Sequence, residues 1–195
     1  MHQATNHDPL LLWSARFDRL AEYLRHLTLG EADAMATGNN ATLNVTLPSD
    51  REIVMRRTFD APRALVFEAF SKPEHISHWW GPAGATMPVC DMDFRPGGKW
   101  RYVTHEADGN DYGFRGEFRE IVPPERIVWT FEFEGMPGHV SVETLAFDER
   151  AGKTTITTTT VFDSVEDRDG MLQSGMETGA AESYNRLEAY LKSLA

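Results

Sequence analysis

Two histidines and one arginine are the residues whose types and spacing best suit chemistry. His75 and His78 are three positions apart, so on a helix they share a face and can hold a metal ion if a third ligand converges on them. The sequence indicates no third ligand, and we expect neither a metal site nor a cofactor. Arg95 precedes Gly97 and Gly98 in a turn that the glycines allow to reverse tightly, and its guanidinium can anchor an acidic ligand group.

The remaining groups capable of proton transfer or nucleophilic attack have structural explanations. Cys90 is the only cysteine, which excludes an internal disulfide, and its position on a predicted strand is typical of a small core residue. Four charged residues are expected on the outer face of the sheet, where they pair across strands in water: Glu117, Arg119, Glu132 and Glu143. We therefore identify no catalytic residue.

Composition and charge narrow the classes of function. The formal net charge is -11 and no basic stripe offsets it, so binding to nucleic acid phosphates is disfavoured. No apolar run approaches the roughly 20 residues that span a bilayer. The first residues lack a basic leader and a small-residue cleavage site, so we expect a cytoplasmic protein.

The chain divides into three regions that differ in composition. Residues 1–34 form an extension, in which apolar residues recur at helical spacing over 9–29 and predict an amphipathic helix. This helix either docks on the main domain or pairs with a second copy, which makes a homodimer possible; equally, the extension precedes a true start at Met35. Residues 35–50 are small and polar and predict a linker, which leaves 51–195 as one domain.

Seven segments of the main domain have the alternating pattern of strands: 51–59, 86–94, 99–106, 112–122, 125–134, 139–148 and 153–162. Ile127, Trp129 and Phe131, for example, alternate with polar Thr130 and Glu132. One apolar and one polar face indicate an antiparallel sheet that is covered on a single side. Short turns between neighbouring segments favour a meander.

Two short helices and one long helix are predicted around this sheet. The first opens near Pro62, which a first helical turn tolerates, and the second opens at Ser71, which has Glu74 at capping-box spacing. The third runs over 165–194 as one long helix, capped by Ser164 with Asp167. Small residues in its middle either allow close approach or leave space beneath it.

Four ordered motifs resemble those of a known family: DAPRALVFEAFSKPEHISHWWGP, DMDFRPGGKW, GEFREIVPPERIVWTF and SGMETGAAESYNRLEAYL. Together with the order of elements, they are similar to the activator of heat shock protein 90 ATPase homologue-like branch of the SRPBCC superfamily, whose members are also called START-like or helix-grip proteins. The resemblance covers about residues 51–194. It implies an α+β helix-grip fold, in which a curved antiparallel sheet of about seven strands wraps around a long C-terminal helix and leaves a cavity between them.

An apolar gap with few polar groups is the usual form of a small-molecule site, which independently supports such a cavity. The candidate ligand-binding residues are Trp79, Trp80, Arg95, Trp100, Tyr102, Phe114, Phe118, Trp129, Phe131, Met171, Met176 and Tyr184. Each of them also has an explanation as core packing.

Three functions of different classes follow from this fold. The favoured one is binding of a small hydrophobic ligand, aromatic, lipid or polyketide-like, between the sheet and the C-terminal helix. An enzyme of cyclase, aromatase or hydrolase type would use the same pocket, and it requires a titratable residue facing the cavity. A chaperone ATPase-activator-like interaction module is the third function that the resemblance implies.

Overall fold

The computed structural model describes residues 42–194. Within that range the strands are β1 (Asn44–Thr46), β2 (Glu52–Phe59), β3 (Thr86–Met92), β4 (Lys99–His105), β5 (Asp111–Val122), β6 (Arg126–Phe133), β7 (Val140–Arg150) and β8 (Lys153–Val161). The helices are α1 (Arg63–Ser71), α2 (Pro73–Trp79), α3 (Val165–Gln173) and α4 (Met176–Leu194). The helix predicted over 9–29 lies outside the described residues, and the homodimer through it stays a prediction.

All strands form one antiparallel sheet in the order β1-β2-β8-β7-β6-β5-β4-β3. Strands β3 to β8 follow one another as a meander, as the short turns predicted. Strand β2 returns beside β8, with Glu52 opposite Val161 and Phe59 opposite Thr154. The helices cover the concave face, and the predicted helix-grip fold is confirmed.

Alternation along each strand decides which side chains enter the core. On β6, Ile127 is fully buried and Trp129 is 1% exposed, whereas Glu132 is on the opposite face. Because successive side chains point to opposite faces of a strand, the apolar set of β6 faces the helices. The sheet is thus covered on one side, as its pattern indicated.

The predicted linker is wrong for its last part, because β1 lies inside it. Asn44, Val45 and Thr46 pair with β2, and Leu43 is 8% exposed in the core. β-Branched Val45 and Thr46 favour a strand, and the exposed edge of β2 offers them a hydrogen-bonding partner. The sheet therefore has eight strands within residues 42–194 instead of about seven.

The N-cap of α2 lies one residue later than the predicted capping box, which began at Ser71. Ser71 is the last residue of α1, and its hydroxyl donates to Glu68 O instead of capping α2. The N-cap of α2 is Lys72, which has an extended backbone. Pro73 causes this, because a proline disfavours the helical conformation of the residue before it.

The predicted long C-terminal helix is two helices. It begins as predicted, with Ser164 Oγ accepting the backbone N–H of Asp167 at 3.1 Å. It is interrupted at Gly175, whose φ of +79° lies in the left-handed region that ends helices. Among the described residues, no helix is long and apolar enough to cross a membrane.

The turn between β3 and β4 requires both of its glycines. Gly97 has a φ of +78°, and a Cβ at Gly98 would lie 2.0 Å from Asp93 O. Gly97 N donates to Phe118 O at 2.7 Å, which holds the turn against β5. The structural role that the sequence predicted for these glycines is confirmed.

Candidate functional site

The C-terminal half of α4 is attached to the sheet by a buried arginine. Arg57 of β2 is 3% exposed, and its guanidinium lies 2.7 Å from Glu188 Oε2 and donates to Asn185 Oδ1 at 2.8 Å. A second attachment is Tyr184, whose hydroxyl lies 3.1 Å from Thr158 Oγ1 of β8. This half of α4 therefore packs tightly on the concave face.

The preceding stretch of helix covers the same face without becoming buried. Helix α3 has no buried residue, and the buried residues of α4 are Tyr184, Leu187 and Leu191. The start of α3 is held at the end of the sheet by His139 of the β6–β7 turn, whose Nδ1 lies 2.6 Å from Asp167 Oδ1. Residues 165–183 thus contribute only partly buried apolar side chains to the core.

Partly buried side chains on the helix-facing side of the sheet and on these helices form a set that we call the half-buried zone: Phe114, Phe131 and Glu143 of the sheet and Met171, Met176 and Ala180 of the helices. A methyl group added at Gly179 would meet no atom within 4 Å, so there is open space beside α4 at this point. Gly179 is therefore not in close contact with a neighbouring element.

Glu143 faces the helices, and its predicted place on the outer face is wrong. It pairs with Trp129 on one side and with Thr160 on the other, and both of those residues are buried. Strand β7 carries apolar side chains on both faces, with Val142 on one and Leu145 on the other, so its pattern alone does not fix which face is inward. Leu145 and Phe147, which are 2% and 1% exposed, share the face of Glu143 and are the signal that identifies it.

The surroundings of Glu143 make it an unusual carboxyl group. Trp129 Nε1 donates to its Oε2 at 2.7 Å, and Thr160 Oγ1 donates to its Oε1 at 3.4 Å. Burial raises the pKa of Glu143, and these two hydrogen bonds oppose that rise. The residue as a whole is half-buried, whereas its carboxyl group is closely surrounded by protein atoms. The surface of Glu143 that solvent reaches therefore lies in a recess of the protein.

No cation compensates this carboxyl within the described part of the chain. Lys, Arg and His side chains of residues 42–194 make no ion pair with Glu143, and none of them contributes to its pKa. A buried charge is costly unless it is paired. Glu143 therefore combines the features that mark functional carboxyls: burial, donors on both oxygens and a perturbed pKa.

The other predicted site residues separate into core and half-buried groups. Five of them have almost no accessible surface, between 0% and 2%: Trp79, Trp100, Tyr102, Phe118 and Trp129. Tyr184 is also buried, at 7%. These residues pack the core, and their role as ligand contacts stays a prediction.

Trp80 is the centre of the aromatic packing. Its ring centroid lies 5.2 Å from that of Tyr102, 6.2 Å from that of Trp100 and 6.4 Å from those of Trp129 and Phe114, all in edge arrangements. Such arrangements are the favourable ones for aromatic pairs. This cluster packs Trp80 against the aromatic residues of β4, β5 and β6.

Arg95 does not lie with the other predicted ligand-binding residues. Its side chain is 67% exposed on the β3–β4 turn, and its guanidinium lies 2.8 Å from Asp93 Oδ2. The histidines likewise have structural partners: His75 Nδ1 lies 2.6 Å from the Tyr190 hydroxyl, and His78 stacks on the same ring at 4.7 Å. Among residues 42–194, no group of three or more potential metal ligands converges.

The loop between α2 and β3 is held against α4 by polar contacts. Arg186 donates to four backbone oxygens of residues 78–82 at 2.8 to 3.1 Å. Glu182 Oε2 accepts from Ala83 N at 3.1 Å, and Ser183 Oγ accepts from Gly81 N at 3.2 Å. These contacts keep Trp80 in place and close one end of the space under α4.

The opposite, convex face carries a groove of about 400 Å³. It is lined by Asp91, Lys99, Trp100, Arg101, Arg115, Gly116, Glu117 and Glu132. Its two arginines are engaged, Arg101 by Glu134 and Arg115 by Glu132, both at 2.6 Å. As predicted for an outer face, these are cross-strand pairs in water, and Glu117 and Arg119 are exposed there too. We therefore place the candidate site on the concave face.

Comparison with known proteins supports the fold and the family. Residues 60–192 match the sequence profile of a family described as Activator of Hsp90 ATPase homolog 1-like protein. No curated protein matches the chain.

Several solved structures are similar to this one. A protein from Rhodobacter sphaeroides has a TM-score of 0.72 at 24% identity, over 78% of this chain and 99% of that chain. A protein from Mycobacterium smegmatis has a TM-score of 0.69 at 25% identity, over 75% and 94%. A protein from Staphylococcus epidermidis has a TM-score of 0.64 at 28% identity, over 78% and 95%. The architecture built above from the residues is thus shared with these proteins.

Proposed function

The chain belongs to the Activator of Hsp90 ATPase homolog 1-like family, and from this premise we propose that it binds a small, mainly apolar molecule between the sheet and the stretch formed by α3 and the first half of α4. The half-buried zone is the proposed site. The ligand class is the one that the sequence predicted, aromatic, lipid or polyketide-like.

The observation that carries this proposal is the change in burial along α4. The fully buried residues of α4 begin at Tyr184, whereas Met176 and Ala180 before it are only partly buried against the core, as Phe131 of the sheet is. Because apolar side chains gain free energy when they leave water, half-buried ones on facing elements favour a guest that completes their burial. A mainly apolar lining with few polar groups is typical of small-molecule sites.

A matched pair of substitutions in α4 tests the site. Ala180→Phe fills the proposed space, whereas Ala189→Phe adds the same ring at an exposed position of the same helix. We expect ligands from a library of lipids, flavonoids and polyketides to raise the melting temperature of the wild type and of Ala189→Phe, and to lose this effect in Ala180→Phe. A wild type whose melting temperature no compound changes, and from which mass spectrometry recovers no co-purified ligand, contradicts the proposal.

A second candidate function is enzymatic, and Glu143 is the observation that favours it. The sequence required a titratable residue facing the cavity, and this carboxyl is one that can accept a proton from a bound molecule. The test is incorporation of solvent deuterium at an acidic C–H of a bound β-diketone, followed by NMR. Exchange that Glu143→Gln does not slow would overturn this function while leaving binding intact.

Activation of the Hsp90 ATPase, which the description of the family names, stays a prediction for this chain. Its test is the ATPase rate of Hsp90 with and without the full chain. An unchanged rate at saturating protein, with no association in a pull-down, argues against this function.

A further inference from the structure

We propose that the ligand is an organic amine whose ammonium group pairs with Glu143 while its apolar body lies against Phe131, Met176 and Ala180. This inference rests on the proposed function, because it names the class of molecule that the half-buried zone takes. It goes beyond that function because binding of a mainly apolar molecule does not by itself require a charged group on that molecule.

The first step is a comparison between two charges inside the same fold. Arg57 is buried, and it is compensated by Glu188 at 2.7 Å and by the Phe59 ring at 5.7 Å. Glu143 is also enclosed, yet within residues 42–194 its partners are the neutral Trp129 and Thr160. The fold thus supplies a counter-charge for its interior arginine and leaves one interior carboxyl without a counter-charge.

The second step is the direction of the hydrogen bonds. An indole N–H can only donate, so the Trp129 contact requires Glu143 Oε2 to accept. The Thr160 hydroxyl is placed to donate to the other oxygen. A carboxyl with donors on both oxygens is organised as an anion, and about two of its four acceptor positions remain for a ligand.

The third step is the match between this anion and an ammonium group. A cationic N–H donor forms stronger hydrogen bonds to a carboxylate than a neutral donor does, and it supplies the charge that burial lacks. Phe131, which lies beside Glu143 in the half-buried zone, offers a ring whose face attracts a cation. The net charge of -11 attracts cations to the protein as a whole.

The pH dependence distinguishes this pairing from hydrogen bonding to a neutral ligand. Burial raises the pKa of Glu143, so at low pH part of the protein carries the protonated carboxyl, and formation of the ammonium–carboxylate pair then releases that proton to the solvent. The affinity for an amine therefore rises with pH until Glu143 is ionised. A neutral acceptor that binds the protonated carboxyl shows the opposite trend. The ionisable group facing Glu143 from α4 is Tyr184, whose pKa burial raises to about 12, so it does not titrate below pH 8.

Three probes of one shape test the inference on the full chain: phenethylamine, phenethyl alcohol and hydrocinnamate. We expect the amine to bind at least about tenfold more tightly than the alcohol at pH 8, and its affinity to rise with pH as Glu143 ionises. Calorimetry in buffers of different ionisation enthalpy should detect proton release over the pH range of that rise. Glu143→Gln should remove this advantage without weakening the alcohol, and Glu117→Gln, on the exposed face, should leave all three affinities unchanged.

Each outcome decides one of the two claims. If the amine and the alcohol bind the wild type with equal affinity, or if hydrocinnamate binds more tightly than the amine, the amine inference is overturned and the proposed function stands. Failure of all three probes and of the wider ligand library overturns both. The comparison of probes and pH values on the wild type needs no variant, so an unstable Glu143→Gln does not prevent the decision.

Discussion

Arg57 and Glu188 are 131 positions apart in the sequence, and their side chains meet at 2.7 Å. The pair joins β2 to the last turns of α4 and holds that half of the helix on the sheet. Lys192 also donates to Glu188 at 2.9 Å. Burial alone would raise the pKa of Glu188, but the hydrogen bonds from Lys192 and Arg57 outweigh it and lower the pKa.

Replacement of this arginine should destabilise the protein. Arg57→Met removes the guanidinium and leaves Glu188, 19% exposed at its side chain, and Asn185 without that partner. We expect a loss of about 2 to 3 kcal/mol in the free energy of unfolding, measured by urea denaturation. Arg56→Met, on the exposed face of the same strand, should change it by less than about 0.5 kcal/mol. Equal effects would show that the pair does not hold α4.

Glu106 should make the protein less stable as pH rises. Burial raises its pKa from 4.5 to about 7, and the charges of Asp108 and Glu182 add to this, while a hydrogen bond from Thr104 opposes it. The folded state therefore binds the Glu106 proton more tightly than the unfolded chain does. The contribution of this proton to the free energy of unfolding is complete below pH 4.5 and is lost as pH rises to about 7.

The corresponding variant is Glu106→Gln, which keeps the shape and cannot ionise. After allowance for partial exposure, we expect it to be about 1 to 2 kcal/mol more stable than the wild type at pH 8 and about equal to it at pH 4.5. Thermal unfolding at both pH values measures this difference. Glu117→Gln, exposed on β5, is the control, and a gain from Glu106→Gln that does not depend on pH would contradict the explanation.

The two glycines of the β3–β4 turn should differ in their tolerance of alanine. At Gly97 the surroundings are open and only the φ of +78° opposes a side chain, so Gly97→Ala should cost about 1 to 2 kcal/mol. At Gly98 the new Cβ would meet backbone oxygens of Asp93 and Arg95 at 2.0 and 2.9 Å, which cannot move without opening the turn. We expect Gly98→Ala to cost at least about 3 kcal/mol in chemical denaturation. The reverse order would show that the turn rearranges.

Cys90 should be chemically inert in the folded protein. Burial raises the pKa of its thiol from 9.0 to about 11, and the negative charges of Asp91 and Glu74 add to this. Because the thiolate is the nucleophile, we expect thiol reagents at pH 8 to react at least about tenfold more slowly than with the unfolded chain. The measurement is the rate of thiol labelling with and without urea. Rapid labelling of the folded chain would mean that the thiol is accessible and ionised.

Much of the fold was predictable because it depends on local patterns. The strand over 153–162 follows from its β-branched residues, and the cap at Ser164 follows from the acidic residue three positions later. The capping box at Ser71 was wrong because Pro73, one residue further on, restricts the backbone of Lys72. Gly175 was recognised as a small residue, but its left-handed backbone divides the helix.

The candidate site was predicted less well, because its residues depend on contacts between distant segments. The sequence identified the aromatic set, yet it did not separate Trp129, which is 1% exposed, from half-buried Phe131 two positions later. Both lie on the same face of β6, and only the distance of the covering helix distinguishes them. Arg57 was missed although it falls at an inward position between Met55 and Phe59.

The sequence by itself determined seven of the eight strands within residues 42–194, the meander from β3 to β8 and the family, because side-chain period, turn residues and motifs act over short stretches of chain. Tertiary structure alone decided that Glu143 faces inward and that α4 becomes buried from Tyr184 onward. The physical reason is that the parity of β7 is ambiguous until its register with β6 and β8 is set, and that open space exists only where separately folded elements fail to pack against each other.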